Sequence, residues 1–256
     1  MIKVVFFDVD GTILSHTKNI VTPVMLSAFE KLKKNNIRCV LATGRHMLEL
    51  ALLPVRDLEF DGYITINGQL CLDDQKQIYY GSPITGTGKK NLLRLFEEKA
   101  FPIILVESDR MYINFVNEHV KAVQDAIFTA VPPVGVYTGG EIYLSSIFVD
   151  ATREQQLREA LADCRMIRWH EGAVDIISPT GDKTAGISQY LKKYHIEPHE
   201  TMAFGDGEND IEMLRFAGIG VAMGNADNRV KQSADYITAS VDDDGVEKAL
   251  RHFGLL

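Results

Sequence analysis

The first apolar run of the chain predicts a strand that is buried on both faces. Residues 2–7 (IKVVFF) are rich in Val and Phe and contain one polar residue, Lys3. Such runs are typical of strands in a parallel sheet, which helices cover on both faces. The run ends directly at Asp8, and Asp10 follows two residues later. Because a carboxylate is costly to remove from water, these two residues need a partner that offsets the cost.

The segments that follow continue an alternation of helices and strands. Thr22 and Pro23 have the chemistry of a helix N-cap and of a first helical position. The apolar residues behind them recur at the spacing of one helix face, at Met25, Ala28, Phe29 and Leu32. Residues 37–42 (IRCVLA) and 63–66 (YITI) then predict two further buried strands. This order indicates an α/β fold with an open, Rossmann-like parallel sheet.

The alternation stops near Gly81 and resumes after Gly181. Beyond that point, short strands are predicted in the segments TMAFGDG (201–207), GIGVAMG (218–224) and DYITA (235–239). Helical patterns lie between and behind them, at 211–216, 226–233 and 245–253. The parallel sheet is therefore predicted to be built from both ends of the chain.

The middle of the chain has a different pattern. Alternating, hairpin-like strand segments lie between residues 103 and 178, in IILVES, MYINFV, IYLSSIFV, MIRWH and VDIIS. Helical patterns occur among them, at 89–99, 117–130 and 152–164. Because alternation is typical of antiparallel strands, we expect residues 83–179 to form an inserted α/β domain. Residues 1–82 and 180–256 would form the domain that holds the parallel sheet.

The composition is typical of a soluble globular protein. Apolar residues make up 46% of the chain and charged residues 24%, and no apolar segment approaches the roughly 20 residues of a membrane span. The apolar start of the chain is too short for the core of a signal peptide, so we expect a cytoplasmic protein without membrane association. The formal net charge of −8, without any dense basic run, argues against a nucleic-acid partner.

The residues that follow the predicted parallel strands form a candidate ligand site. In an open α/β sheet the ligand binds beyond the carboxyl ends of the strands. The residues at these positions are Asp8, Asp10, Gly11, Thr12, Thr43, Gly44, Arg45, Asn67, Gly205, Asp206, Gly207, Asn209 and Asp210. Clustered carboxylates repel one another unless a cation lies among them, and oxygen ligands favour a hard cation such as Mg²⁺.

The spacing of Asp8 and Asp10 suits phosphoryl transfer. A carboxylate cluster with Mg²⁺ most often handles phosphate, because the metal neutralises charge on the phosphoryl group and on its attacker. Residues at i and i+2 leave a strand on the same side. Asp8 can then attack phosphorus and form an aspartyl phosphate, while Asp10 protonates the leaving oxygen. In the second half-reaction Asp10 removes a proton from the attacking water.

At this point the sequence resembles a known family, the haloacid dehalogenase (HAD) superfamily, and within it the Cof-type hydrolases of subclass IIB. DVDGT at 8–12 is similar to the first motif (DxDGT), and Thr43 in LATGR is similar to the second. Lys183 in GDKTAGI matches the third motif and GDGEND at 205–210 the fourth. The resemblance covers essentially the whole chain. One departure is that a Gly more usually follows the motif-three Lys directly, whereas here the next Gly is Gly186.

The resemblance implies roles for the matched residues. Asp8 would be the catalytic nucleophile and Asp10 the general acid/base. The ligands of the cofactor Mg²⁺ would be Asp8, Asp10 through its carbonyl oxygen, Asp206 and Asp210. The residues that bind phosphate or substrate would be Thr43, Gly44, Lys183 and Asn209, together with Arg45, which can bind phosphate or pair with the carboxylates. The inserted domain would be a C2-type cap that sets substrate specificity.

The function implied by these residues is a Mg²⁺-dependent phosphomonoester hydrolase. Its partner would be a small phosphorylated metabolite, either a sugar phosphate or a phosphorylated cofactor. Two alternatives share the same chemistry at Asp8. A phosphohexomutase would return the phosphate to another hydroxyl, and a non-catalytic phospho-acceptor would keep it. Asp10 argues against the phospho-acceptor, because a stable phospho-switch does not use a poised acid/base.

Two other ligand motifs lack residues that their ligands require. A calcium-binding EF-hand loop that starts at Asp8 needs Glu at its twelfth position, where the chain has Asn19. The segment GTGKK at 86–90 imitates a nucleotide-binding P-loop. However, Pro83 stands at the first glycine position, and Lys90 takes the place of the required Ser or Thr.

Overall fold

The computed structural model describes residues 1–15, 18, 20–127 and 129–256. The strands are β1 (Val4–Phe7), β2 (Arg38–Ala42), β3 (Gly62–Thr65), β4 (Leu70–Asp73), β5 (Ile78–Gly81), β6 (Ile103–Val106), β7 (Met111–Ile113), β8 (Leu144–Phe148), β9 (Arg165–His170), β10 (Ala173–Ile177), β11 (Thr201–Gly205), β12 (Ile219–Ala222) and β13 (Tyr236–Ile237). The α-helices are α1 (Pro23–Lys34), α2 (Met47–Leu50), α3 (Gly86–Glu97), α4 (Glu118–Ala126), α5 (Glu154–Ala160), α6 (Lys183–Tyr194), α7 (Ile211–Phe216), α8 (Asn228–Lys231) and α9 (Gly245–His252). Short 3-10 helices span Pro54–Asp57, Ile66–Gly68, Pro198–Glu200, Glu208–Asp210 and Val241–Asp243.

The chain divides into two compact units. Residues 1–80 and 182–256 form one, here called the core unit, and residues 81–181 form the other, here called the inserted unit. Each unit contains its own sheet, of eight strands in the first sheet and five in the second. The predicted α/β fold, with a sheet dominated by parallel pairs, is confirmed.

The eight-stranded sheet has the order β13-β12-β11-β1-β2-β3-β4-β5. Its strands run parallel from β13 to β3, and β4 pairs antiparallel with β3. The four residues of β1 have no exposed surface, as expected for the central strand of a sheet covered on both faces. The rings of Phe7 and Phe204 stack at 5.5 Å across the β1–β11 pair.

Helix α1 begins and packs as its sequence predicts. The Thr22 side chain accepts a hydrogen bond from the N–H of Met25 at 3.2 Å, so it caps the helix that starts at Pro23. The four predicted inward-facing residues, Met25, Ala28, Phe29 and Leu32, are all buried. Phe29 lies against the sheet, with its ring centroid 5.0 Å from that of Phe7. Full burial of a Phe or Leu side chain contributes roughly 1.5–3 kcal/mol to stability.

The inserted unit has the antiparallel pairing that its alternating pattern predicts. Its strand order is β7-β6-β8-β10-β9, and every neighbouring pair is antiparallel. Apolar residues of helices α3 and α5 share one buried cluster with residues of the sheet, including Leu92, Phe96, Leu157, Ile103, Ile147 and Val174. This unit therefore has a hydrophobic core of its own.

Several helices are shorter than their patterns predict. Helix α8 covers four residues of the predicted 226–233, and helix α5 covers Glu154–Ala160 of the predicted 152–164. Helix α4 ends at Ala126, and Phe128 of the predicted 117–130 lies outside the described residues. Asn19, the twelfth position of the calcium-loop motif, also lies outside them. Within the described parts of the chain, no helix is both long and apolar enough to cross a membrane.

Helix α6 packs closely against the sheet at Gly186. A Cβ atom at this position would lie 2.5 Å from Ile64 Cγ2 and 3.0 Å from Gly68 Cα. The Cys71 thiol contacts the carbonyl oxygen of Gly186 at 3.7 Å. The glycine therefore serves helix packing, three residues after the start of the helix.

We predict that Gly186→Ala destabilises the core unit. The added methyl group must displace Ile64 or the backbone of Gly68, and overpacking of this kind costs about 1–3 kcal/mol of unfolding free energy. Urea unfolding followed by circular dichroism measures the loss. Lys192→Ala, an exposed position on the same helix, is the control and should change stability by less than about 0.5 kcal/mol. Equal stability of both variants and the wild type would contradict this packing.

Candidate active site

The candidate site lies at the point where the strand order of the core sheet changes direction. From β1 the chain proceeds to β2 and β3 on one side, and β11, β12 and β13 lie on the other. Because β1, β2, β3 and β11 are parallel, their carboxyl ends share one edge of the sheet. Ligands of open α/β sheets bind at such a switch point.

Lys183 joins two carboxylates at the centre of this edge. Its Nζ lies 2.6 Å from Asp8 Oδ1 and 2.6 Å from Asp210 Oδ1. The lysine is only 1% exposed, and both aspartates are buried. Lys183 is the first residue of α6, and the Asp182 side chain caps that helix by accepting from the N–H of Ala185 at 2.7 Å. The start of one helix thus places an ammonium group beside the end of β1.

The charge of Lys183 is stabilised by its partners. Burial alone would lower its pKa, but the carboxylates of Asp210 and Asp8 outweigh burial and raise the pKa above its ordinary value. Lys183 is therefore a permanent cation at neutral pH. Burial raises the pKa of Asp8 well above its usual value; Lys183 opposes this increase, and the neighbouring carboxylates add to it.

Asp210 fixes the loop after β11. Its Oδ1 atom contacts Lys183, while Oδ2 accepts hydrogen bonds from the N–H groups of Asp206 at 3.0 Å and Gly207 at 2.9 Å. The residue has no exposed surface. A Cβ at Gly205 would lie 2.5 Å from the Cβ of Asp210, so the strand end must be glycine for the carboxylate to lie so close.

Asp206 lies beside the loop that follows β1. Thr12 Oγ1 donates a hydrogen bond to Asp206 Oδ1 at 3.3 Å. Gly11 has a φ of +75°, and a Cβ on it would lie 2.0 Å from Asp206 Oδ2, so only glycine fits there. Burial raises the pKa of the Asp206 carboxyl to about 7, and the nearby Asp210 carboxylate adds to the increase.

Asp10 pairs with Arg45. The Nε and Nη2 atoms of Arg45 lie 2.6 Å and 2.8 Å from the two carboxylate oxygens, which is a two-pronged ion pair. Of the two predicted possibilities for Arg45, the structure contains the pair with the carboxylates, and the contact with phosphate remains a prediction. Glu49 lies 3.9 Å from the other side of the guanidinium.

The remaining predicted phosphate-binding residues lie at the ends of β2, β3 and β11. Thr43 is buried, and its Oγ1 accepts a hydrogen bond from the N–H of Arg45 at 3.1 Å. Asn209 donates to the Asn67 side chain at 3.1 Å, and the N–H of Asn67 donates to the Thr43 carbonyl at 3.0 Å. A Cβ on Gly44 would lie 3.2 Å from Asn67 Oδ1. Contacts within the core unit thus link every predicted site residue to another.

Oxygen atoms suited to a divalent cation meet at this edge. One carboxylate oxygen from each of Asp8, Asp206 and Asp210 lies within 4.8 Å of the others. Together with Asp10, these carboxylates outnumber the two cationic side chains near them, Lys183 and Arg45, and leave an excess of negative charge. Because these ligands are all hard oxygen donors and a divalent ion would cancel that charge, the donor set fits Mg²⁺.

Asn225 is the site residue that the motifs did not reveal. It follows β12, and its Nδ2 atom lies 3.0 Å from Asp206 Oδ2. The signal in the sequence was its position: like the predicted residues, Asn225 stands just beyond the carboxyl end of a parallel strand.

We predict that Lys183→Met lowers the unfolding free energy by about 3–5 kcal/mol near pH 8, because the buried carboxylates of Asp8 and Asp210 lose their cation. Without Lys183 the folded variant holds protons that its unfolded chain has released, so the loss should shrink as the pH falls towards about 5. Urea unfolding in EDTA at both pH values measures this loss of unfolding free energy. The exposed Lys192→Met variant is the control. A loss that does not depend on pH would contradict the ion-pair explanation.

Known proteins share this sequence and fold. The model of the haloacid dehalogenase-like hydrolase family matches residues 5–250. YkrA of Bacillus subtilis (strain 168) is 31% identical over 257 residues, covering 99% of this chain and 98% of that protein. The 5-amino-6-(5-phospho-D-ribitylamino)uracil phosphatase YbjI of Escherichia coli (strain K12) is 27% identical over 264 residues, covering 98% of this chain and 97% of that protein.

Solved structures give the same result. The HAD subclass IIB sugar phosphatase BT4131 superimposes with a TM-score of 0.86 and is 34% identical. The match covers 99% of this chain and 100% of that chain. A match of the family model over nearly the whole length, together with a shared fold, confirms the resemblance that the four motifs indicated. The chain belongs to the haloacid dehalogenase-like hydrolase family.

Proposed function

We propose that this protein is a Mg²⁺-dependent phosphomonoester hydrolase that acts on a small phosphorylated metabolite through an aspartyl phosphate on Asp8. The observation that carries the proposal is the position of Asp8. Its carboxylate stands at the carboxyl end of the central strand, contacts the Lys183 ammonium at 2.6 Å and lies within 4.8 Å of two further carboxylates. This is the arrangement that a nucleophile needs when it attacks a negatively charged phosphoryl group.

The residues that would hold Mg²⁺ directly are Asp8, Asp206 and the carbonyl oxygen of Asp10, and the fourth predicted ligand, Asp210, would orient them. When bound, the ion would neutralise charge on the phosphoryl group and on the attacking carboxylate. Because both Asp210 oxygens already contact Lys183 and the loop N–H groups, Asp210 serves mainly to orient the loop that presents Asp206.

The first half-reaction transfers the phosphoryl group to the protein. An Asp8 oxygen forms a bond to phosphorus, the bond from phosphorus to the substrate oxygen breaks, and Asp10 gives that oxygen a proton. Lys183 and the side chains of Thr43 and Asn209 bind the phosphoryl oxygens. Gly44 allows the backbone to approach the phosphate, since it carries no side chain.

The second half-reaction returns Asp8 to its original state. Asp10, now ionised, takes a proton from a water molecule, whose oxygen attacks phosphorus and displaces the Asp8 oxygen. The two contacts with Arg45, at 2.6 Å and 2.8 Å, fix the orientation of the Asp10 carboxyl group for this step. Inorganic phosphate leaves, and Asp8 is again a carboxylate beside Lys183.

The substrate class rests on relatives of similar length. BT4131 is a sugar phosphatase, and YbjI acts on 5-amino-6-(5-phospho-D-ribitylamino)uracil. Both names describe phosphate esters of small molecules, so we infer a sugar phosphate or a phosphorylated cofactor precursor as the substrate here. We also propose that the inserted unit is a cap that sets substrate specificity, while the core unit supplies the reacting groups.

We predict that Asp8→Ala abolishes phosphate release and that Asp10→Asn slows it by about 10² to 10⁴, because these changes remove the nucleophile and the general acid/base. Phosphate release from a panel of phosphorylated metabolites, in Mg²⁺ and in EDTA, measures both effects. Asp57→Asn, an exposed carboxylate of the core unit, is the control and should keep full activity.

Three outcomes would contradict this proposal. Mg²⁺-dependent release by Asp8→Ala would exclude Asp8 as nucleophile. Isomerised sugar phosphate without free phosphate would identify a phosphohexomutase. A phosphorylated Asp8 that lasts for minutes would identify a phospho-acceptor, in which Asp10 does not act as a base.

We further predict that Mg²⁺ binds more tightly as the pH rises towards about 7. The raised pKa of about 7 means that Asp206 holds a proton below that pH in the metal-free protein, and the metal must displace it. Displacement of the Asp206 proton by itself strengthens binding about tenfold per pH unit below the pKa. Calorimetry at several pH values measures this slope. Asp206→Asn should reduce the slope, and an affinity that does not depend on pH in the wild type would contradict the prediction.

A further inference from the structure

Asn225 connects three loops at the candidate site. Its Nδ2 atom donates to the carbonyl oxygen of Gly11 at 2.9 Å and to Asp206 Oδ2 at 3.0 Å. Its Oδ1 atom accepts from the backbone N–H of Val241 at 2.9 Å. One side chain therefore joins the loop after β1, the loop after β11 and the segment that precedes α9.

The contacts permit a single orientation of the Asn225 amide. The Val241 N–H can only donate, so it must face the side-chain oxygen. The Gly11 carbonyl can only accept, so it must face the side-chain nitrogen. The second hydrogen on that nitrogen is then available to the Asp206 carboxylate. The two backbone contacts thus orient the Nδ2–H group of Asn225 towards Asp206 Oδ2.

Asp206 differs from the other carboxylates in the kind of partner that holds it. Asp8 and Asp210 contact the Lys183 ammonium, and Asp10 contacts the Arg45 guanidinium. Asp206 receives hydrogen bonds from neutral groups, Thr12 on Oδ1 and Asn225 on Oδ2. Neutral donors orient a carboxylate without forming an ion pair with it, so no cationic side chain in direct contact competes with a metal ion for Asp206.

We propose that Asn225 is a positioning residue for Mg²⁺ binding, which sets the rotation of the Asp206 carboxylate and ties it to the loop that carries Asp10 and Gly11. This inference rests on the proposed function, because it takes Asp206 to be a metal ligand. It assigns a role to the segment after β12 and, through Val241, to the segment that precedes the last helix. Asn225 itself does not touch the reacting atoms.

The test is the Mg²⁺ dissociation constant of the full-length protein, measured by calorimetry without substrate. Asn225→Ala should raise it about 10- to 100-fold, as loss of a residue that orients a metal ligand typically does. Because Asn225 is exposed, the melting temperature of the Asn225→Ala variant in EDTA should stay at the wild-type value. Asn35→Ala is the matched control: Asn35 is also exposed in the core unit, and its Nδ2 donates to the Leu255 carbonyl. That control should bind Mg²⁺ as the wild type does.

A second variant removes one of the two backbone contacts of the Asn225 amide and keeps the amide itself. Val241→Pro deletes the N–H group that faces Asn225 Oδ1. Proline is tolerated there because Val241 opens a 3-10 helix and the preceding Ser240 is extended, with a ψ of 164°. We expect a dissociation constant between those of the wild type and Asn225→Ala, since the amide then keeps the Gly11 carbonyl as its one backbone contact and is held less firmly.

The outcomes separate this inference from the proposed function. If the wild type does not bind Mg²⁺, the proposed function fails. If the wild type binds and Asn225→Ala binds equally well, only the positioning role is overturned. A dissociation constant that rises together with a fall of the melting temperature in EDTA would make Asn225 a structural residue. Val241→Pro with wild-type affinity would overturn the role assigned to the Val241 N–H group in holding the amide.

Discussion

The contact on which the rest of the site depends is the buried ion pair of Lys183 with Asp8 and Asp210. An ammonium group that is 1% exposed is stable only beside carboxylates, and the two carboxylates are equally dependent on it. The pair joins the end of β1, the start of α6 and the loop after β11, so it holds three chain segments in one arrangement. The same contact holds Asp8, the proposed nucleophile, at the carboxyl end of β1, whose four residues have no exposed surface.

The cationic side chains of the site do not balance the carboxylates around them. The ion pairs with Lys183 and Arg45 leave an excess of negative charge near Asp206, whose hydrogen bonds come from Thr12 and Asn225. The core unit therefore folds with uncompensated negative charge at this site, which a divalent cation would neutralise. The raised pKa values of Asp8 and Asp206 reflect the burial and crowding of these carboxylates, and perturbed pKa values of this kind cluster at functional sites.

Close backbone contacts make this arrangement possible. Gly11 turns at a positive φ directly against Asp206, and Gly186 lets α6 approach β3 closely enough for Lys183 to enter the site. The glycine three residues after Lys183, a departure from the usual motif, meets this packing need. Ile66 and Asn67 also have positive φ values, 55° and 51°, which are unfavourable for a β-branched residue such as Ile66. Strain of this kind occurs where a site demands a particular backbone course.

The sequence by itself determined the local structure and the position of the chemistry along the chain. The burial of β1, the cap and inner face of α1, and the antiparallel pairing of residues 103–177 all follow from local periodicity. The four motifs likewise identified the family. Only the tertiary structure decided that Arg45 pairs with Asp10, that Lys183 is buried, and that Asn225 reaches Asp206. The reason is physical: Asp8 and Lys183 are 175 residues apart, and no local pattern records which strand ends a parallel sheet brings together.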